Sequence, residues 1–263
     1  MKSAIAIAAH PDDIELMMAG TLLLLKNAGY QIHYMNLASG NLGSTGYNAE
    51  EIKKIRLEEA KRAAQILDAH FHPPICDDLE IFYDLQKLKQ VAAVIRDIRP
   101  VIVLTHSPED YMEDHVNAAR LAVTAVFARG MANFLTEPPR HGDNYDCTIY
   151  HSLPHTLTDN FRRLVIPGAF VDTTSVHEKK LEALKAHHSQ QHWLDVSQKM
   201  NSYLQAMEDI ALKVGELSKV FRYAEGWRRH QHVGFCSKNA DPLKDLGEDY
   251  LINKDYEAKL DAV

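Results

Sequence analysis

Ser3-Ala4-Ile5-Ala6-Ile7-Ala8-Ala9-His10-Pro11-Asp12-Asp13 is the stretch on which the fold turns. Residues 3–9 form an uncharged apolar run with the length of a buried strand. The run stops at a His-Pro-Asp-Asp turn, where a signal peptide would need a cleavage site and then a mature domain. A buried strand is the better reading. Outward from it, residues 14–28 place Leu16, Met17, Leu23 and Leu24 at helical spacing and close at Gly29. Residues 31–37 read as a second strand, followed by the Gly-rich loop Ser39-Gly40-Asn41-Leu42-Gly43-Ser44. Helices are expected over 49–69 and 84–98, with Pro73-Pro74 between them. A third strand is expected at 101–104, and a helix from His115 to about Arg129.

Strand–helix–strand alternation at this spacing predicts an α/β fold: one Rossmann-like, mostly parallel sheet with helices on both faces. The second half is less regular. Strands are expected at 147–152 and 169–172, helices at 176–188 and 193–217, and a last strand or hairpin within 220–236. No repeat or linker divides the chain, so residues 1–237 are read as a single domain. Residues 238–263 are read as a polar C-terminal tail, loosely packed.

Composition narrows the function classes. The formal net charge of −7 leans against nucleic acid and anionic membranes as partners, since both need a basic face. No stretch approaches the ~20 apolar residues of a membrane span. Cys76, Cys147 and Cys236 show no CxxC spacing, so neither a thiolate zinc site nor a disulfide framework is expected. A cytoplasmic setting fits them best. A homo-oligomer is compatible with the sequence.

Strand ends locate the candidate site. In open α/β sheets the ligand crevice lies at the carboxyl ends of the strands. His10 follows the first expected strand, the Gly40 loop the second, and His106 the third. An imidazole and a carboxylate together suit zinc. Two adjacent carboxylates would repel each other, and a divalent cation relieves that repulsion. The competing reading is that Asp12 or Asp13 caps the helix beginning near Ile14. A second cluster, Thr105-His106-Ser107-Pro108-Glu109-Asp110-Tyr111-Met112-Glu113-Asp114-His115, occupies the same sheet edge. It offers His115 as a third ligand and Asp114 as the acid that orients a ring beside it.

Ala9-His10-Pro11-Asp12-Asp13-Ile14-Glu15 paired with Asp114-His115 resembles the LmbE-like (PIG-L-type) zinc N-deacetylase family. The likeness covers most of the first 130 residues and includes Arg56-Leu57-Glu58-Glu59-Ala60. Weaker matches follow at His188-Ser189-Gln190 and Tyr223-Ala224-Glu225-Gly226-Trp227. The resemblance implies that His10, Asp13 and His115 hold zinc, although such a set also accepts other divalent metals. It implies that Asp12 is the general base and that Arg56 binds substrate. The implied substrate is a small N-acetylated amino sugar or glycoconjugate. Many members carry a histidine three residues before the last ligand, commonly assigned to the oxyanion. Met112 stands there and cannot donate a hydrogen bond. Tyr111 or His106 is the expected substrate-facing substitute, unless zinc carries more of the oxyanion charge, and Asp114 joins Asp12 as the second acid of the reaction centre.

Alternatives from other classes are an amidase acting on a larger acyl or thiol-sugar conjugate and a non-catalytic sugar- or nucleotide-binding protein. His187, His188 and His192 lack a paired acid at ligand spacing and are not read as a second metal site. Glu225 and Arg228 are read equally as pocket residues or as members of structural ion pairs.

Overall fold

The structure is a computed structural model that describes residues 2–197 and 203–260. Its centre is the opening stretch: β1 (Ser3–Ala8) pairs in parallel with both β2 (Gln31–Asn36) and β4 (Ile102–Thr105). Alternate β1 residues face opposite sides, as strand geometry requires. Ala4, Ala6 and Ala8 enter one apolar core, and Ile5 and Ile7 enter the other. Burial on both faces explains why the segment is a continuous apolar run.

The parallel half adds β3 (His70–His72) beside β2 and β5 (Thr148–Ser152) beside β4. The remaining strands are antiparallel: β6 (Ala169–Asp172), β7 (Ala224–Arg229) and β8 (Tyr250–Ile252), giving the order β3-β2-β1-β4-β5-β7-β6-β8. One core is completed by α1 (Asp13–Met17), α2 (Ala19–Asn27), α3 (Ala49–Leu67), α6 (His177–Leu184) and α8 (Tyr203–Ser218). The other is completed by α4 (Leu85–Ile98) and α5 (Glu113–Phe127). This is the expected single-domain α/β architecture, with helices on both sheet faces.

Three local expectations change. The helix expected over 14–28 is two helices, broken at Met18 (φ −137°, ψ −20°). The break exposes new N–H groups at the start of α2, and Glu225 from β7 accepts those of Gly20 and Thr21, both at 2.8 Å. The helix expected over 193–217 is represented by α7 (His188–Ser197) and α8, with residues 198–202 outside the described residues. The tail is not a loose arm. It supplies β8, which pairs with β6, and then α9 (Lys254–Leu260). Hydropathy missed this because polar contacts fasten the tail. Asp241 accepts from Tyr150 and Tyr250, Asp245 accepts from Lys2 and Tyr30, and Leu243 is buried beneath them.

Candidate metal centre and active site

The carboxyl ends of β1, β4 and β5 deliver the chemistry to one crevice. His10 to Asp13 follow β1, and Asp12 adopts φ 104°, ψ −25°. Such a conformation costs a non-glycine residue about 1–3 kcal/mol and persists only where neighbours impose it. The turn directs Asp12 and Asp13 to different partners. Candidate ligand atoms of His10, Asp13 and His115 all lie within 4.8 Å of one another.

Each ring in this set is oriented from behind. His10 Nε2–H donates to Asp114 Oδ2 at 2.9 Å, and His115 Nδ1–H donates to Asp110 Oδ1 at 3.1 Å. These bonds leave His10 Nδ1 at 3.4 Å from Asp13 Oδ2 and His115 Nε2 at 3.4 Å from Asp13 Oδ1. His115 Nε2 is buried and has no hydrogen-bond partner. A buried orphan nitrogen facing a carboxylate is what a metal ligand looks like before its ion is counted. The donor set, two imidazoles and a carboxylate, fits zinc.

Electrostatics agree. Burial opposes charge on His10, yet hydrogen bonds to Asp114 and Asp13 raise its pKa to about 10. Burial likewise opposes charge on His115, and Asp13 and Asp110 raise it to about 9. For Asp13, burial is outweighed by the charge of His115 and by the neighbouring His106 and His10 rings, which hold it well below the usual carboxylate range. The pocket therefore draws positive charge to this spot. Asp12 behaves oppositely. Burial, reinforced by Asp13 and opposed by Arg56, raises its carboxyl to about 6, close to the range in which a carboxylate works as a general base.

Around the set lies a cavity of about 620 Å³, within the size range of small-molecule sites. Leu42 and Gly43 from the Gly-rich loop, Leu79, Tyr111, Met112 and Trp193 contribute to its lining. Tyr111 stands at the mouth, 52% exposed, with its ring 5.9 Å from that of His115. His106 is not among the lining residues and does not face substrate as expected. It is 1% exposed, stacks on His115 at 4.1 Å, and its Nε2 accepts the Ala9 N–H. With that lone pair engaged, His106 packs as a buried backing against the His115 ring. Arg56 borders the pocket, but its guanidinium bonds the Pro11 carbonyl and Gln190.

Several neighbours escaped sequence reading. His155, on the loop after β5, has a buried Nε2 without a partner, 3.4 Å from Asp13 Oδ1. Burial lowers its pKa to about 4, so its imidazole is neutral. Nothing adjacent to it in sequence signals a ligand or donor. Tyr203 donates to Asp12 Oδ2 at 2.7 Å from a remote helix. His187 is fully buried, 3.5 Å from Glu15, while the His192 side chain lies outside the described residues. Glu225 belongs to a buried pair with Lys180 at 2.8 Å, and Arg228 donates to the Ile166 carbonyl; neither lines the pocket.

The family model described as PIG-L, GlcNAc-PI de-N-acetylase, matches residues 5–126. Diacetylchitobiose deacetylase of Thermococcus kodakarensis is 34% identical over 235 residues, 87% of this chain and 83% of that protein. The chain belongs to the PIG-L (LmbE-like) family. A second relative by sequence, 4-oxalmesaconate hydratase of Pseudomonas putida, is 30% identical over 205 residues, 73% of this chain and 75% of that one. Among solved structures, the 4-carboxy-2-hydroxymuconate hydratase of Pseudomonas putida superposes with a TM-score of 0.75 at 26% identity, covering 92% of this chain and all of that one. The PIG-L fold thus carries relatives named for two different reactions, and only the site of this chain can choose between them.

Proposed function

We propose that the protein is a metal-dependent hydrolase, with zinc the preferred ion, that removes the N-acetyl group from an amino sugar or small glycoconjugate. The observation that carries this reading is the meeting of His10, Asp13 and His115 at one pocket end with Asp12 beside them and outside the ligand set. A bound zinc would polarise the amide carbonyl and favour ionised water at neutral pH. Asp12 takes the proton from the attacking water and returns it to the departing amine nitrogen, which cannot leave as an anion. Asp114 and Asp110 keep the two ligand rings in place. Tyr111 at the mouth and His155 within the pocket are the proposed donors to the carbonyl oxygen, a role Met112 cannot fill. A cytoplasmic setting is proposed with this reading, supported by three cysteines that are all free.

A hydratase acting on a polycarboxylate, as the hydratase names among the matches suggest, fits the pocket less well. Several carboxylates demand several cations, and Arg56 is the sole Arg or Lys among the described lining residues. A larger acyl group is a second reading, favoured by the apolar wall of Leu42, Leu79, Leu194 and Ile210. Metal analysis of the purified protein, with acetate release from a panel of N-acetylglucosamine derivatives and their N-acyl homologues, tests the proposal. Asp12→Asn is expected to abolish release while retaining zinc. Zinc-loaded protein that releases no acetate across the panel overturns the deacetylase reading, and unimpaired function of the Asp12→Asn protein points to a binding protein.

A further inference from the structure

The resemblance assigns Arg56 to substrate, but the geometry around its guanidinium describes a different task. Nη2 donates to the Pro11 carbonyl at 2.5 Å, and Nη1 donates to Gln190 Oε1 at 2.5 Å. The head group also lies 3.8 Å from Asp12 Oδ2, and the side chain is 2% exposed. Nε is buried, has no partner, and is roofed by Gly40, where a Cβ would approach it to 2.6 Å. Each terminal nitrogen therefore already donates one hydrogen bond within the protein.

Through Nη2 the guanidinium holds the left-handed turn at Asp12, while Nη1 ties it to α7. Asp12 has no side-chain capping bond to α1 that would fix this turn locally. Locally, Asp13 Oδ2 accepts the His10 N–H at 2.7 Å; the contacts to Pro11 and to the Asp12 carboxylate itself come from Arg56 on α3 and from Tyr203 on α8, whose hydroxyl donates to Asp12 Oδ2 at 2.7 Å. Both contacts fall on Oδ2, leaving Oδ1 as the oxygen not engaged by either partner. A planar guanidinium holds two acceptors at fixed separation, which an ammonium cannot do. We propose that Arg56 is a positioning residue that clamps the Pro11-Asp12 turn and, with Tyr203, sets the direction in which the Asp12 carboxylate meets the pocket. The kinetic part of this inference rests on the deacetylase reading; the structural part does not.

Arg56→Gln, Arg56→Lys and Tyr203→Phe test it, using crystal structures, zinc content and steady-state kinetics. In Arg56→Gln, Asp12 is expected to leave the left-handed region while zinc content is unchanged. Turnover is expected to fall at least tenfold in kcat, with KM within twofold. Arg56→Lys should restore part of the loss, and Tyr203→Phe should lower kcat at least threefold at unchanged KM. Retention of the left-handed Asp12 in Arg56→Gln overturns the proposal. So does a tenfold rise in KM with kcat preserved, the signature of a substrate-binding group. If Arg56→Gln fails to fold, the Lys and Tyr203→Phe variants decide the question by the same readouts. If no substrate is turned over, the Asp12 conformation still decides it, separating failure of this inference from failure of the deacetylase reading.

Discussion

Asp110 and Asp114 bond the rings of the proposed metal set from behind, each fixing which nitrogen of a ring is offered forward. Asp110→Ala is expected to lower zinc affinity by about 10–100-fold, measured by competition against a chelator; unchanged affinity would show that the ring needs no such partner. His10, Asp12, Asp13, Asp114 and His115 were legible because they sit in contiguous motifs at strand ends. Asp110 lay in the same acidic loop, but nothing local distinguished it from Glu109 or Glu113. His155 and Tyr203 were illegible for a firmer reason: each meets the site across the fold, Tyr203 at 191 positions from Asp12. His106 misled because it follows a strand at the site edge, whereas its ring turns inward to the Ala9 amide.

Elements carry the next level of control. The carboxylate of Glu59 on α3 accepts from Ser189 N at 2.8 Å and Ser189 Oγ at 2.6 Å, docking the first turn of α7. Since α7 brings Gln190 and Trp193 to the pocket, Glu59→Ala is expected to raise KM several-fold with a smaller change in kcat, read by substrate titration. Glu225 plays a comparable part beneath α2, accepting from Gly20, Thr21 and Lys180 in a fully buried setting. Glu225→Gln leaves the Lys180 ammonium buried without its anion and is expected to cost about 3–5 kcal/mol in chemical denaturation. A loss under ~1 kcal/mol would contradict that account. The helical stretch after Asp13, the long α3 and the parallel strands β1, β2, β4 and β5 were readable from the sequence pattern, whereas β3, only three residues long, was not expected. Nor was the break at Met18, because its cause is a carboxylate arriving from β7.

Across the whole molecule, acid sensitivity has an identifiable source at the β2–β3 edge. Burial, followed by the neighbouring charges of His72 and His70, lowers the His33 pKa to about 4 from an ordinary 6.5. An unfolded chain therefore takes up this proton first as pH falls. Its contribution to stability is complete above about pH 6.5, is lost between about 6.5 and 4, and stays flat below. His33→Gln is expected to flatten that part of the pH–stability curve, measured by denaturant midpoints; an unaltered slope would exonerate His33. At this scale the eight-stranded sheet also separates two inheritances. The three proposed metal ligands come from residues 10–115, in the parallel half, whereas Gln190, Trp193, Leu194, Ala206 and Ile210 add a pocket wall from later in the chain. A lineage can exchange that wall while keeping its reaction centre, which gives a physical route by which related chains diverge in what they accept. The exchange is not free of terms: any grafted wall must bring an acceptor where Gln190 meets Arg56 and a hydroxyl where Tyr203 meets Asp12.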